Sequence, residues 1–266
     1  MGVINVTPDS FSDGGEFSKP TNSFEVDISK VLHRVESYLK DGASIVDIGG
    51  ESTRPGAKRV AADIELNRTI PVIEALKKNL DVPLSIDTSS PIVMAEAISA
   101  GVDIINDVRA LSAPGAIDLA LKSNAAVCLM HMKGEPRTMQ KTPCYSNVVG
   151  EVFEFLKERI AVCKRVGDIE NRLLIDPGFG FGKTVNHNYQ LLKFLSTFKD
   201  LGFPLLVGIS RKSMVGTVVN RPERERVYGT IAATVLAISN GASVIRTHDV
   251  AATMDAIRVH CAYETV

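Results

Sequence analysis

Residues 173–183 read Leu-Leu-Ile-Asp-Pro-Gly-Phe-Gly-Phe-Gly-Lys, an apolar run that ends at the carboxylate Asp176 and passes into a glycine-rich loop. A buried strand that ends in a polar side chain before a flexible loop and a helix is one βα unit. The loop is one residue too short for a phosphate-cradling P-loop, because three residues rather than four separate Gly178 from Gly182. Pro177, where a glycine would restore that spacing, has no N–H to offer a phosphate. We therefore expect Asp176 to be the functional group of this unit.

The composition is that of a globular chain with a full core: 266 residues, 45% hydrophobic and 23% charged, with a net charge of -1. Balanced charge argues against a general nucleic-acid or membrane surface, and the longest apolar stretch, 231–238, is far too short to span a bilayer. The first residues enter a strand pattern without a signal peptide, and the four cysteines form no CxxC pair. We expect one domain over residues 1–266 in a cytoplasmic protein.

Eight apolar strands alternate with eight helical patterns along the chain. The helices are predicted over residues 23–41, 62–79, 91–100, 114–122, 147–166, 187–201, 225–239 and from 250 onward. Continuous apolar runs are typical of parallel strands buried on both faces. Eight βα units over this length predict an α/β fold, a single (β/α)8 TIM barrel. A doubly wound open sheet is the alternative, but that arrangement seldom needs eight regular units.

A polar side chain stands at the end of every predicted strand. These residues are Asn5, Asp47, Asp87, Asn106, His131, Asp176, Ser210 and Arg246. In a barrel the carboxyl ends of the strands converge on one face, the usual site of chemistry. A polar residue can simply mark where a strand leaves the core, and we interpret Asp47 in this way. That explanation accounts poorly for three carboxylates, two amides and an arginine on one rim, so we expect a binding site there.

The acidic and amide groups at the strand ends suit a ligand with amidine-like donors. An ionised carboxylate accepts two parallel N–H bonds from such an edge, and these charge-assisted bonds are strong. We therefore expect a fused heterocycle to bind to Asp87, Asn106 and Asp176.

The cations lie elsewhere on the predicted rim, at Arg54, Arg211, Lys212, Arg246 and His248. Arg246 and His248 alternate at the end of one strand and therefore face the same side. With Asn5 they are expected to hold a pyrophosphate together with a Mg²⁺ ion that keeps several waters.

Four long motifs, in this order along the chain, resemble those of the dihydropteroate synthase family. They are Asn-Val-Thr-Pro-Asp-Ser-Phe-Ser-Asp-Gly-Gly at 5–15, Gly-Gly-Glu-Ser-Thr-Arg-Pro-Gly at 49–56, Asp-Pro-Gly-Phe-Gly-Phe-Gly-Lys at 176–183 and Ser-Arg-Lys-Ser at 210–213. Shorter segments at 104–107, 130–132 and 245–249 agree, so the resemblance covers essentially the whole chain. It implies a homodimeric folate-pathway enzyme that is a target of sulfonamides. Family members usually carry extra residues before the first strand.

The resemblance implies a transferase that joins p-aminobenzoate to 6-hydroxymethyl-7,8-dihydropterin pyrophosphate, giving 7,8-dihydropteroate and pyrophosphate. The pterin would be held by the residues that match Asp87, Asn106, Asp176 and Lys212. The diphosphate would be held by those that match Asn5, Arg54, Arg246 and His248, with Mg²⁺ at Asn5. The p-aminobenzoate would be held by those that match Phe11, Thr53, Pro55, Phe181, Ser210 and Lys212. The implied catalytic residues are Asp87, Asp176, Lys212, Arg246 and His248.

Two alternative functions are open. A pterin-binding methyltransferase with a TIM barrel would share the pterin carboxylates but not the segment 210–213 with the anion-binding Arg246 and His248. A catalytically silent paralogue would bind pterin or assemble with a partner without turnover. Pyrophosphate release, measured with and without p-aminobenzoate, separates all three.

The segment between Arg226 and Arg246 carries no charged residue. An outer helix of a barrel should show one apolar stripe and one charged face, and an uncovered apolar helix would leave a large exposed patch. A second copy of the chain is the simplest cover, through a two-fold interface. We expect a homodimer through the helix 225–239 and the helix after residue 250, with Ala232, Ala233 and Ala237 allowing close packing.

Overall fold

Eight short parallel strands form one sheet in chain order in the computed structural model, which describes residues 1–8, 17–18 and 25–266. The strands are β1 (Gly2–Asn5), β2 (Val46–Gly49), β3 (Leu84–Asp87), β4 (Ile104–Asp107), β5 (Ala126–Met130), β6 (Leu173–Asp176), β7 (Leu205–Val207) and β8 (Ala242–Ile245). Thr247, two residues after β8, closes the ring on β1: Val3 N donates to Thr247 O at 3.1 Å, and Thr247 N donates to Met1 O at 3.0 Å. The predicted (β/α)8 barrel is confirmed.

Nine α-helices lie among the described residues. They are α1 (Ile28–Asp41), α2 (Ala62–Asn79), α3 (Pro91–Ser99), α4 (Ala116–Lys122), α5 (Val148–Val166), α6 (Val185–Lys193), α7 (Ser213–Val219), α8 (Val227–Ser239) and α9 (Val250–Glu264). Local sequence sets several helix ends: Asp27 accepts from Ser29 N and Lys30 N at the start of α1, and Gly42 ends it with a φ of 104°. Thr184 and His187 form a capping box at the start of α6.

The helices differ from the predictions in three places. The predicted helix 23–41 begins only at Ile28, as α1. The predicted helix 187–201 is α6 followed by a 3₁₀ helix, Leu195–Leu201. Helix α7 was not predicted, because seven residues with three valines, a threonine and Gly216 show no helical periodicity. This short extra helix follows β7, a position where barrels often place an anion site.

The side chains of each strand alternate between the helices and the barrel interior. On β2, β3 and β4, Ile48, Ile86 and Ile105 are fully buried in the apolar cluster outside the sheet. Asp47 and Asp87 occupy the opposite parity and therefore point inward. Because β2 continues to Gly49, Asp47 lies within the strand and has no exposed surface. The interpretation of Asp47 as a mark of the strand end was wrong.

The outward surface of α8 differs from the expectation. Ala233 and Ala237 are 4% and 0% exposed, because they face the barrel and not the solvent. The exposed apolar side chains are instead Tyr228 and Leu236 on α8, with Val259 and Tyr263 on α9. Across the described ranges, no helix has the length and apolarity needed to cross a membrane.

Candidate active site

One cavity of about 300 Å³ opens at the carboxyl ends of the strands. Its walls contain Asn5, Thr53, Arg54, Pro55, Asp87, Asn106, Asp176, Phe181, Ser210, Lys212, Arg246 and His248. These are the site residues that were predicted from the sequence, apart from Phe11, which lies outside the described residues. Side chains without a predicted role also line it, among them Glu51, Val108, Met130, Met139 and Glu223.

The floor of the cavity presents hydrogen-bond acceptors. Asp87 and Asn106 are register partners on β3 and β4, and both are buried. One oxygen of Asp87, Oδ2, accepts from Arg246 Nη2 at 2.9 Å. The other, Oδ1, is buried and has no partner among the described residues. Burial raises the pKa of Asp87 to about 7 against the opposing effect of Arg246. Asp87 is thus ready to accept a bond from a ligand.

Asp176, at the end of β6, adds a second carboxylate to the floor. Its Oδ1 accepts from Gly178 N at 2.7 Å. Burial raises the pKa of Asp176, while the charge of Lys212 opposes that rise. Burial also lowers the pKa of Lys212, to about 8. A carboxylate and an ammonium group therefore face the same cavity in a poorly hydrated environment.

The glycine-rich loop after β6 forms the wall beside Lys212. Lys212 Nζ donates to Phe179 O at 2.6 Å and lies 4.8 Å from the centroid of the Phe181 ring. Gly180 has a φ of 82°, a conformation that favours glycine, and a Cβ there would also lie 3.2 Å from Lys212 Cδ. The loop thus sets an aromatic face against a cation at one side of the cavity.

Lys183 anchors this loop, a role that the sequence analysis missed. Its Nζ lies 2.9 Å from His131 Nδ1 and donates to Gly178 O at 2.8 Å and Phe181 O at 3.1 Å. Burial and nearby Lys183 lower the pKa of His131 to about 2, so the ring is neutral and can accept from Lys183 Nζ, whose own pKa burial lowers well below its usual value. His131 therefore anchors the loop and does not line the cavity. The adjacency of a lysine to a glycine-rich loop was the available signal.

The opposite end of the cavity is cationic. His248 Nδ1 lies 3.0 Å from Ser210 Oγ, and Asn5 Nδ2 lies 3.5 Å from His248 Nε2. Burial, followed by the charges of Arg246 and Arg211, lowers the pKa of His248 to about 3. The His248 ring is therefore neutral. A neutral imidazole can still donate a hydrogen bond to an anion.

The guanidinium of Arg246 lies deeper than the sequence suggested. Arg246 Nε donates to Asp47 Oδ2 at 2.6 Å, and Nη2 donates to Asp87 Oδ2. The two carboxylates raise its pKa despite the burial, so it stays charged. The sequence placed Arg246 only at the diphosphate, but the structure connects it to both ends of the cavity.

A Mg²⁺ ion fits the donor set at the cationic end. Asn5 supplies a hard amide oxygen there, and Mg²⁺ commonly combines one or two protein oxygens with water and substrate phosphates. No group of three or more His, Cys, Asp or Glu side chains forms an all-protein metal site in the ranges that the structure covers.

Over residues 1–248 the chain matches a family described as pterin binding enzyme, so the barrel and its cavity are those of a pterin-binding enzyme. The dihydropteroate synthase of Haemophilus influenzae is 49% identical over 259 residues, which cover 97% of this chain and 91% of that protein. The chain belongs to the dihydropteroate synthase family, and the predicted family and enzyme class are confirmed.

Two solved structures show the same likeness. The Yersinia pestis dihydropteroate synthase in a sulfonamide drug complex superposes with a TM-score of 0.93 at 46% identity, covering 100% of this chain and 93% of that chain. The Xanthomonas albilineans dihydropteroate synthase with 4-aminobenzoic acid gives a TM-score of 0.90 at 46% identity, covering 100% and 93%. That protein has also been solved with 7,8-dihydropteroate.

Proposed function

We propose that this chain condenses 6-hydroxymethyl-7,8-dihydropterin pyrophosphate with p-aminobenzoate, giving 7,8-dihydropteroate and pyrophosphate, a step of folate biosynthesis. The observation that carries this proposal is a floor of acceptors directly beside a cationic end in one cavity, with one Asp87 oxygen that has no partner among the described residues. The donor edge of a pterin suits the floor, and a diphosphate suits the cationic end.

The pterin lies on Asp87, Asn106 and Asp176, with Lys212 at its edge. An ionised carboxylate can accept two parallel N–H bonds from the N–C–NH₂ edge of the pterin ring. Lys212, placed by Phe179 O, can donate to an acceptor on the ring. Burial of these groups strengthens each bond because little water competes inside the barrel.

The diphosphate lies at Asn5, Arg54, Arg246 and His248. Cations at this end stabilise the negative charge that develops on the leaving pyrophosphate. Mg²⁺ held at Asn5 would share that charge when bound. The bond between the exocyclic carbon and the diphosphate oxygen breaks with its electron pair on the oxygen, and Asp87 and Asp176 stabilise the cation left on the dihydropterin.

The p-aminobenzoate lies against Thr53, Pro55, Phe181, Ser210 and Lys212. Its nitrogen is neutral at pH 7, so it can attack the exocyclic carbon without a strong general base. The nitrogen then loses a proton to water. Phe11, named from the sequence for this subsite, lies outside the described residues and stays a prediction. Relatives solved with 4-aminobenzoic acid or in a sulfonamide drug complex support an arylamine site of this kind.

The chain acts in the cytoplasm under this proposal. All four cysteines are free, and Cys128 and Cys163 are buried, which suits a reducing compartment.

A homodimer through α8 and α9 is part of the proposal. Tyr228 is 86% exposed, Leu236 52%, Val259 70% and Tyr263 73%, and apolar groups of this size on adjacent helices favour a protein partner. Leu236→Glu should turn the dimer into a monomer or an aggregate in light scattering. Ile92→Glu on α3, at a position 61% exposed, is the matched control and should leave the mass unchanged. A wild-type protein that is monomeric at micromolar concentration would refute the dimer.

Pyrophosphate release measures the proposed reaction directly. The dihydropterin pyrophosphate should give pyrophosphate and 7,8-dihydropteroate together when p-aminobenzoate is present. Release without any coupled product would indicate hydrolysis. Pterin binding without release in either condition would support the silent paralogue, and methyl transfer from a methylated folate would support the methyltransferase.

A further inference from the structure

Asp47 is a buried carboxylate that the proposed roles leave unused. It has no exposed surface and does not line the cavity. Its Oδ2 accepts from Arg246 Nε at 2.6 Å. Its oxygens also lie 3.5 and 3.4 Å from Asn106 Nδ2. Asp47 therefore contacts one residue from the pterin floor and one from the cationic end.

The contact with Asn106 decides which way that amide points. The amide nitrogen carries two donors and the amide oxygen only accepts, whereas an ionised carboxylate can only accept. A reversed amide would bring its oxygen against the oxygens of Asp47 and repel them. The distances are long for hydrogen bonds, but the sign of the electrostatic preference is unambiguous. With its nitrogen toward Asp47, Asn106 presents its oxygen on the other side, as an acceptor.

The contact with Arg246 protects an oxygen of Asp87. A guanidinium that faces a single carboxylate tends to make two parallel bonds with it. Here Asp47 takes Arg246 Nε, and only Nη2 reaches Asp87. Asp87 Oδ1 is left without a partner among the described residues. Without Asp47, Arg246 could occupy both oxygens of Asp87.

We propose that Asp47 is a specificity-determining positioning residue, which orients Asn106 and diverts Arg246 so that the floor of the cavity offers acceptors to the donor edge of a pterin. The proposal rests on the proposed function for its ligand. It assigns to Asp47 no contact with substrate.

Asp47→Asn is the first test, because the shape is kept and the charge is lost. The Michaelis constant for the dihydropterin pyrophosphate should rise at least roughly tenfold, the factor expected when one hydrogen bond to a charged group is lost. The Michaelis constant for p-aminobenzoate should change less than about twofold. Asp107→Asn is the matched control: Asp107 is equally buried but bonds Ser89 Oγ and the N–H groups of Arg109 and Leu111. It should lower the melting temperature without this selectivity.

The pH dependence of pterin affinity distinguishes this role from a purely structural one, which would leave that dependence unchanged. The charge of Asp47 raises the pKa of Asp87. In Asp47→Asn, the acidic limb of pterin affinity should therefore move to lower pH. An unmoved limb, or equal losses for both substrates, would overturn the proposal.

An exchange of the two side chains provides the rescue. In Asp47→Asn combined with Asn106→Asp, the donor and the acceptor trade places while the total charge is kept. Pterin affinity should recover relative to Asp47→Asn alone, and this variant also serves if the single one fails to fold. A pair with the same loss as the single variant would contradict the proposal.

A ligand-free measurement separates this proposal from the proposed function. The side-chain amide protons of Asn106, followed by nuclear magnetic resonance, should shift in Asp47→Asn and not in Asp107→Asn. Failure of the wild type to bind pterin or release pyrophosphate would refute the function. An unshifted Asn106 amide would refute the role of Asp47 even in an active enzyme.

Discussion

Glu65 on α2 holds a carboxyl group that is almost completely buried, and Glu65→Gln should stabilise the protein at neutral and alkaline pH. The side chain is 2% exposed, and Oε1 has no partner in the part of the chain that the structure describes. It packs beneath the loop after β2, since a Cβ at Gly50 would lie 3.1 Å from Glu65 Cγ. Burial raises its pKa to about 7, against a hydrogen bond from Thr88 that lowers it.

The sign and size of the effect follow from the two protonation states. The unfolded chain loses this proton near the usual pKa of 4.5, whereas the folded chain keeps it up to about 7. Between those values the folded state binds more protons, so the free energy of unfolding falls as pH rises. The difference of about 2.5 units corresponds to roughly 3 kcal/mol in total. Glutamine has nearly the same shape and no titrating proton. The free energy of unfolding of the variant should therefore not fall in this way as pH rises.

Urea denaturation at intervals from pH 4.5 to 8.5 checks the prediction. The stability of Glu65→Gln relative to the wild type should grow by roughly 3 kcal/mol between pH 4.5 and 7 and then stay level. Glu154→Gln, at an exposed carboxylate that pairs with Lys157, is the control and should show a difference of less than about 0.5 kcal/mol. A difference between Glu65→Gln and the wild type that does not vary with pH would refute the reasoning.

The remaining predictions concern the cavity. Asp176→Asn should weaken pterin binding at least roughly tenfold with the fold intact, because an amide cannot accept two N–H bonds; unchanged affinity by calorimetry would contradict this. Pterin affinity should be greatest between about pH 7 and 8, since Asp87 must be ionised and Lys212 charged, and a flat profile from pH 5 to 10 would exclude it. Gly178→Ala would place Cβ 1.8 Å from the carbonyl oxygen of His131 and should raise the Michaelis constant for p-aminobenzoate severalfold, whereas Gly202→Ala, also at positive φ but in open space, should not.

The architecture could be predicted from the sequence because its signals are local. Apolar runs, turn glycines and helix periodicity each act over a few residues, and eight repeats of one βα pattern permit few arrangements. The polar residues at the strand ends could be predicted to share one rim, since parallel strands deliver their carboxyl ends to the same face. The lining of the cavity by Asp87, Asn106, Asp176 and Arg246 follows from this rule.

The tertiary structure alone decided which side chains pair across the barrel. Asp47 and Arg246 are 199 residues apart, so no local pattern reveals their ion pair or the orientation of Asn106 that goes with it. Lys183 and His131 form a second such pair, 52 residues apart. The sequence showed that α8 is apolar all round, but the contacts with the barrel decided that Ala233 and Ala237 face inward while Ala232 stays exposed. Periodicity identifies the elements, whereas the partner of each side chain depends on distances that exist only after the ring has closed.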